Sequence, residues 1–482
     1  MSTPRRPNHG RHNARLRPLL AAGWVLIVTG CSSPIGPNYV KPASPLPARF
    51  SDSGWRAAHP SDDESKGPWW TLFQDPVLDG LEQQVLSTNP DLSSAEARLR
   101  QAEALSQGAD AALRPQVGVG AGATRSRTSA NRPSLTPVAP AFSTVQNDFN
   151  PLASVRWELD LVGRLARGQE AAQAFVGQTR ADGENLRLLL TANLASNYFA
   201  VRQIDADLQA LDRLIGQQAR GVALLLQRNR LGQGTALDSL AAESALAASK
   251  VQAQLLREQR APLVAAIAVL TGTPASGFTL APAPLAGQVP EMPTGVPADL
   301  LERRPDIASA ERSVAQANAQ IGIAASARYP SLVLGGTAGL ESRALGSLVS
   351  VPSEVWSLGA QVAQVLYDGG RTDAAVAAAK EAQQAAASHY RATVLQAVAE
   401  VEGGLAGEQG LALAQQEQQQ AVAVATRQQQ LLQRRQAAGT GTALDTNTAE
   451  QFLTVAQRGD IELQGQRLLA AVYLVKVLGG RW

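Results

Sequence analysis

Apolar positions along this chain recur with two different periods, and the two change over in a fixed order. Residues 91–113, rich in Ala, Leu, Glu and Gln, read as a helix that Pro115 stops, because proline lacks the amide and pushes its predecessor out of the α region. The period then falls to two. Ala153, Val155, Trp157, Leu159 and Leu161 alternate with Ser154, Arg156, Glu158 and Asp160, which predicts a strand with one apolar and one polar face. Leu332, Leu334, Ala338 and Leu340, then Trp356, Leu358, Ala360 and Val362, mark single faces of two further strands. Pro-, Ser- and Asn-rich loops are expected at about 129–150 and 342–354. After Gly163 the helical spacing resumes and runs to Leu231 without a proline, on the order of 100 Å if continuous. Its spine, Leu190, Leu194, Asn197, Val201, Ile204, Leu208, Leu211 and Ile215, steps by four and three as a heptad seam does. A return helix is expected over about 236–272, after a tight turn at Gly232-Gln233-Gly234.

The same order occurs twice. Pro90-Asp91-Leu92 returns as Pro305-Asp306-Ile307 and Pro115 as Pro330, both 215 residues later. Gly163-Arg164 returns as Gly370-Arg371, and Gly234-Thr235-Ala236-Leu237-Asp238 as Gly441-Thr442-Ala443-Leu444-Asp445, both 207 residues later. The change of offset places eight extra residues of the first copy between Pro115 and Gly163, as a surface-loop insertion would. This divides the chain into residues 1–30, 31–68, a first repeat at 69–273, a connector at 274–304, a second repeat at 305–475 and a tail at 476–482. Each repeat holds a helix, strand, loop, strand and long helical hairpin, and seven prolines between 274 and 305 make the connector extended.

Composition narrows the chemistry. One cysteine in 482 residues excludes a disulfide framework, and four scattered histidines (9, 12, 59 and 389) argue against a metal site. No cofactor, Walker loop or nucleophile elbow is legible, so no enzyme is expected. Gly118-Val119-Gly120-Ala121-Gly122-Ala123 partly imitates a dinucleotide loop but lies inside a strand pattern with no helix after it. The net charge of +2 hides an asymmetry: residues 1–30 hold five arginines and no acid, leaving 38 basic against 41 acidic residues elsewhere. A nucleic-acid partner is therefore not expected. Those arginines precede a short apolar run, Leu19 to Val28, and Val28-Thr29-Gly30-Cys31 resembles a bacterial lipobox. Cys31 is then the lipid-carrying first residue (N-palmitoyl and S-diacylglycerol) after removal of a signal peptide, and Ser32 behind it favours the outer membrane. Acidic pairs such as Glu400 and Glu402 read as a solvated or lumen-facing helix surface.

Four amphipathic strands set a physical problem. An open sheet in lipid leaves edge amides unsatisfied, and bacterial barrels have eight strands or more, so such a chain must share a barrel with copies of itself. Two copies would supply eight strands and three would supply twelve; a soluble α+β lipoprotein is the alternative. Here the residues resemble a family. Ile35 to Pro42, Trp69 to Pro76, Asn89 to Leu92, Glu158 to Arg164, Leu301 to Ile307 with Ala310-Glu311-Arg312, Tyr367 to Arg371 and Leu478 to Trp482 follow the order of the outer-membrane factor family, the TolC/OprM/NodT-like lipoproteins of efflux systems. Two positions depart from its pattern, Val162 where an aromatic is usual and Arg481 where glycine is usual.

The resemblance implies an α+β membrane protein. A homotrimer would build a 12-stranded outer-membrane β-barrel, four strands per chain, continued by a long periplasmic α-helical barrel. Its partners would be a periplasmic adaptor (membrane fusion) protein, an inner-membrane pump of the resistance-nodulation-division (RND) type and outer-membrane lipid. The chain would be the passive exit duct for drugs or other small toxic compounds. Export of another cargo, by type I protein secretion or as an oligosaccharide, and a lipid-anchored periplasmic coiled-coil scaffold are the other readings. By position Asp445 resembles an aspartate ringing the closed entrance of TolC-like channels, and Asp238 lies near it, so their ionisation would bias opening. Thr-x-x-Asp is equally a helix capping box. Thr448 and Gly441 stand where TolC carries a second ring aspartate and a latch arginine. Gly232, Gly234, Gly439 and Gly441 would expose backbone for adaptor docking, though turn geometry also asks for glycine there.

Overall fold

The computed structural model describes residues 34–41, 67–127, 129, 145–290 and 304–480. Cys31, the signal segment and Arg481 lie outside the described residues. Helix dominates. The elements are α1 (Pro76–Thr88), α2 (Pro90–Ala112), β1 (Gln116–Arg127), β2 (Val145–Leu159), α3 (Arg164–Arg230), α4 (Ala236–Leu270), α5 (Pro305–Ser326), β3 (Ser331–Leu340), β4 (Glu354–Ala363), α6 (Arg371–Ala437) and α7 (Ala443–Val477). The long helices α3 and α6 each have 67 residues and their return helices α4 and α7 each have 35. Strand β2 starts at Val145, earlier than the loop expected to reach 150, because Val145 to Asn150 pair with Arg127 to Gly122 of β1. Helix α1 and the 3₁₀ turn before it (Trp69–Phe73) stand outside the expected helix–strand–strand order.

The chain folds into two compact units that each take segments from both halves of the sequence: 1–42, 101–176 and 312–387 in one, 43–100, 177–311 and 388–482 in the other. The first contains a four-stranded antiparallel meander in the order β1-β2-β3-β4. Its register sorts the side chains by chemistry. Val117 faces Val155, Val155 faces Gly336, and Gly336 faces Leu358, so one face collects these with Trp157, Leu334, Ala360, Trp356 and Val362. The opposite face collects Gln116, Ser154, Arg156, Thr337, Ser357 and Gln361, with glycines between them. Residues of β1 are exposed throughout, and in β4 Trp356 and Leu358 remain 74% and 80% exposed. An exposed apolar face of this extent marks an interaction or membrane-facing surface.

In the same unit the segment Pro34 to Lys41 is held by one buried arginine. Arg167 donates to the carbonyls of Ile35 (3.2 Å), Pro34 (3.4 Å) and Gly36 (3.3 Å) and to Asn38 Oδ1 (2.8 Å), while Asn318 donates to Pro37 O at 2.8 Å. Gly322 allows the contact: a β-carbon there would sit 2.6 Å from Ile35 O. The family-like stretch around Glu158 to Arg164 also has local work. Arg164 grips both Glu158 oxygens, and the Ala166 amide donates to Asp160 Oδ2 at 2.8 Å, starting α3.

The second unit is built on an aromatic cluster. Trp69, Trp70 and Phe73 are buried against Tyr198 and Phe199 of α3, together with Ile267 of α4 and Leu468, Val472 and Val475 of α7. The Phe73 and Phe199 rings lie 5.0 Å apart, Trp69 donates to Thr191 Oγ1 at 3.2 Å, and Asp75 caps α1 while accepting from the Tyr198 hydroxyl at 2.7 Å. The predicted spine is therefore one of two buried seams on α3. Thr191, Ala195, Tyr198, Arg202 and Asp205 form the other, since this helix is covered on more than one side. Asp205 and Arg202 tie the beginning of the connector through Arg260 and the carbonyls of Leu280 and Ala281. Glu400, expected on a solvated surface, instead accepts from buried Arg304 at 2.9 Å. Arg304 also holds Asp306 and the carbonyl of Val477, so the family-like Arg-Arg-Pro-Asp-Ile run joins the start of α5 to the end of α7.

Glu82 of α1 is the exception to this matching. It is fully buried, both its oxygens lack a hydrogen-bond partner among the described residues, and burial, with Asp79 nearby, pushes its carboxyl well up. It is held neutral in the fold and ionises freely when unfolded, so its contribution to stability falls as pH rises above the ordinary glutamate range. Glu82→Gln should flatten the dependence of the thermal midpoint on pH between about 5 and 8. Glu82→Leu should raise that midpoint at neutral pH, by the equivalent of about 1–3 kcal/mol for removing a buried unpaired polar group. Thermal denaturation in detergent followed by circular dichroism measures both.

Candidate functional site

The two helical hairpins of the second unit turn with nearly identical chemistry. At the end of α3 the Gln233 amide donates to Arg228 O (2.9 Å) and the Gly232 amide to Asn229 O (3.0 Å); at the end of α6 Thr440 donates to Arg435 O (2.9 Å) and Gly439 to Gln436 O (3.0 Å). This is the Schellman pattern, which needs a left-handed residue at the first position past the helix. Gly232 and Gly439 supply it with φ of 70° and 73°. Each turn is then braced by an arginine from its own helix, Arg228 donating to Gln233 O at 3.2 Å and Arg435 to Thr440 O at 3.3 Å. The bracing arginines escape the sequence reading, although each stands seven residues before the capping threonine in its copy of the repeat.

Asp238 and Asp445 both belong to complete capping boxes. The Asp238 amide donates to Thr235 Oγ1 (3.2 Å), while the Thr235 amide and hydroxyl donate to Asp238 Oδ2 (3.3 and 2.7 Å). Thr442 and Asp445 repeat the arrangement at 3.1, 3.2 and 2.7 Å. Both carboxylates are fully exposed. The threonine hydroxyl and amide hold each below the usual carboxylate range, aided at Asp238 by Arg228 and at Asp445 by Arg435 and Arg228. In the protomer the cap thus favours the charged form of each carboxylate. Thr448 donates to the carbonyl of Leu444 in its own helix at 2.9 Å.

Beside the turns, α7 meets α3 along a polar seam. Asn447 donates to Gln217 O at 2.9 Å, Arg220 pairs with Glu450 at 3.2 Å, and Gly221 leaves room for Asn447, whose Oδ1 would lie 2.8 Å from a β-carbon there. An open groove of about 430 Å³ lies between these helices, lined by Arg220, Gln227, Gln436, Thr446 and Asn447. Of the four glycines, Gly232 and Gly439 are required by the backbone. A β-carbon at Gly441 would sit 3.0 Å from the Gln436 amide nitrogen, a tight fit, whereas Gly234 has ordinary room.

A family model described as outer membrane efflux protein matches residues 81–273 and 296–480. The chain belongs to that family. Relatives agree with this efflux protein over most of its length. The pyoverdine export outer membrane protein OpmQ of Pseudomonas putida is 29% identical over 458 residues, 94% of this chain and 97% of its own. Its counterpart in Pseudomonas aeruginosa is 31% identical over 434 residues, covering 89% and 91%. The solved outer-membrane channel OprN matches with a TM-score of 0.80 at 27% identity, covering 93% of this efflux protein and 99% of OprN. The chain is thus an outer-membrane channel component of an efflux system, with the helix-dominated α+β fold of such channels, from a family of channel formers rather than enzymes.

The capping geometry has a measurable consequence. Folded carboxyls held low contribute stability that is complete above the ordinary aspartate pKa and lost only as pH falls through the lower folded value. Hydrogen-exchange protection of the first turns of α4 and α7, corrected for intrinsic rates, should therefore not change between pH 7 and 5. It should fall below roughly pH 4. Thr442→Val should deprotect the start of α7 at every pH while leaving α4 unchanged.

Proposed function

We propose that three copies of this chain form one outer-membrane duct, closing twelve strands into a shared barrel and lining a periplasmic passage with their helices. The observation that carries this reading is the sheet: one continuous apolar face, and outer edges of β1 and β4 that pair with no strand among the described residues. Barrel closure is the way to satisfy such edges in hydrocarbon. The recurring offsets in the sequence and the matched lengths of α3 with α6 and α4 with α7 support two internal repeats, which let each chain contribute two pairs of strands and two hairpins.

Cys31 is the lipid attachment point in this reading. The anchor holds the chain at the outer membrane while the barrel closes, and several acyl chains bind where one is marginal. Work for transport comes from an inner-membrane pump of the RND type through a periplasmic adaptor, and this chain supplies path and gate. The turns at Gly232, Gly234, Gly439 and Gly441 are the surfaces offered to the adaptor, and Asp238 and Asp445 line the entrance. Because both aspartates also cap helices and each turn is braced by an arginine, the entrance opens by moving whole hairpins rather than by melting or neutralising their ends. Drugs or other small toxic compounds are the cargo, with selection made mainly by the pump. A relative named for pyoverdine export supports outward transport as the direction.

Extraction of separated outer membranes in mild detergent tests the assembly. The native mass should be about three times the protomer mass, and a variant carrying a cleavable non-lipoprotein signal in place of residues 1–31 should stay in the membrane fraction until detergent is added. A monomeric mass, or release of the variant by buffer alone, would overturn the shared barrel and favour a tethered periplasmic scaffold.

A further inference from the structure

The polar face of the sheet carries a cation, Arg156, that no acid neutralises among the described residues. Arg156 on β2 pairs in register with Gln116 of β1 and Gly335 of β3, and Gly335 pairs with Gly359 of β4. Across that level Arg156 is the only charged side chain and the only long one besides Gln116. The next level on the same face reads Gly118, Ser154, Thr337 and Ser357, all small and uncharged. The glycines leave a hollow of about 560 Å³ bordered by Arg156, Gly335, Gly359, Ser154, Thr337 and Ser357. Arg156 is exposed, and no hydrogen-bond acceptor or acid engages it among the described residues.

The other charges on this face do not cancel it. Glu158 lies two positions along the same strand, but Arg164 grips it through Nε at 3.2 Å and Nη2 at 2.8 and 2.9 Å. Asp148 lies eight positions away, about 26 Å along the strand at ~3.3 Å per residue, well beyond a Debye length of about 8 Å. Twelve strands spaced about 4.8 Å and tilted about 40° enclose a ring roughly 24 Å across between backbones. Three inward guanidiniums at one level then act within about a Debye length of the axis, where low-dielectric walls focus their field.

We infer that Arg156, repeated three times around the lumen, biases the barrel towards anionic solutes. Arg156 is thereby a specificity-determining residue of the exit path rather than a structural one. The inference rests on the shared-barrel reading above. Its level holds no acid to form a fixed pair, so the guanidiniums remain available to passing carboxylate, sulfate or phosphate groups, which arginine engages through two parallel donors.

The test is the reversal potential of the purified full-length protein in a planar bilayer under a potassium chloride gradient. Arg156→Gln should lower the chloride-to-potassium permeability ratio by about two-fold or more, as removal of a lumenal charge ring does. Arg156→Glu should lower it further, and Arg156→Lys should keep it near the wild-type value. Ser357→Asp, one level away, should shift the ratio in the same direction as Arg156→Gln with the arginine intact, which covers the case of a variant that fails to assemble. Wild-type conductance with an unchanged ratio in Arg156→Gln and Ser357→Asp would overturn this inference and leave the duct standing. A monomeric native mass of the purified wild-type protein would overturn the shared duct and this inference with it.

Discussion

Backbone hydrogen bonding in hydrocarbon is the constraint on which the rest of this protein depends. The four strands satisfy one another internally from β1 to β4, yet each outer strand keeps one edge of amides and carbonyls without a partner in the protomer. Water repairs such an edge on a soluble sheet; lipid does not. The apolar face running from Val117 to Val362 cannot be turned inward either, because four strands are too few to roll up on themselves. In the proposed shared barrel, other copies complete this sheet and turn the chain into a passage.

The second unit solves the opposite problem, fixing very long helices without a compact globular core. Helices of 67 residues gain little from their own hydrogen bonds unless a face is packed. The aromatic residues at the start of the unit, Trp69, Trp70 and Phe73, concentrate that packing at Tyr198 and Phe199 and draw in α7. Buried Arg202 and Arg304 and half-buried Arg260 then act where carbonyls or carboxylates converge, Arg202 and Arg260 on the connector and Arg304 on the end of α7. Each guanidinium satisfies several acceptors at once, which a lysine could not do in the same space. Glu82 is buried with no hydrogen-bond partner for either oxygen among the described residues, and that burial pushes its carboxyl well up.

At the turns, stability and function draw on the same atoms. The aspartates that the family resemblance places at an entrance are also the residues that finish the capping boxes of α4 and α7. Their low proton affinity follows from the cap itself, since a charged carboxylate accepts from the threonine amide and hydroxyl. The charged form of each carboxylate is thus part of the cap itself.

Local order was legible in the sequence and distant partnership was not. The alternation in β2, the length of α3, the capping threonines and the glycines at 232 and 439 each depend on residues within a few positions, so period and spacing suffice to read them. Loop limits were less legible: β2 begins at Val145 because a partner strand recruits residues that look loop-like on their own. The second buried seam on α3, the pairing of Arg304 with Glu400 across 96 residues and with Val477 across 173, and the isolation of Glu82 were invisible. A charged residue has the same local signature whether it meets water, a partner or an apolar wall. By itself the sequence determined the elements and which face of each strand is apolar, because those are set by neighbours along the chain. Only the tertiary structure decided which charges are paired, which are buried alone and which, like Arg156, are left facing open space, because desolvation and ion pairing depend on what packs across from a residue.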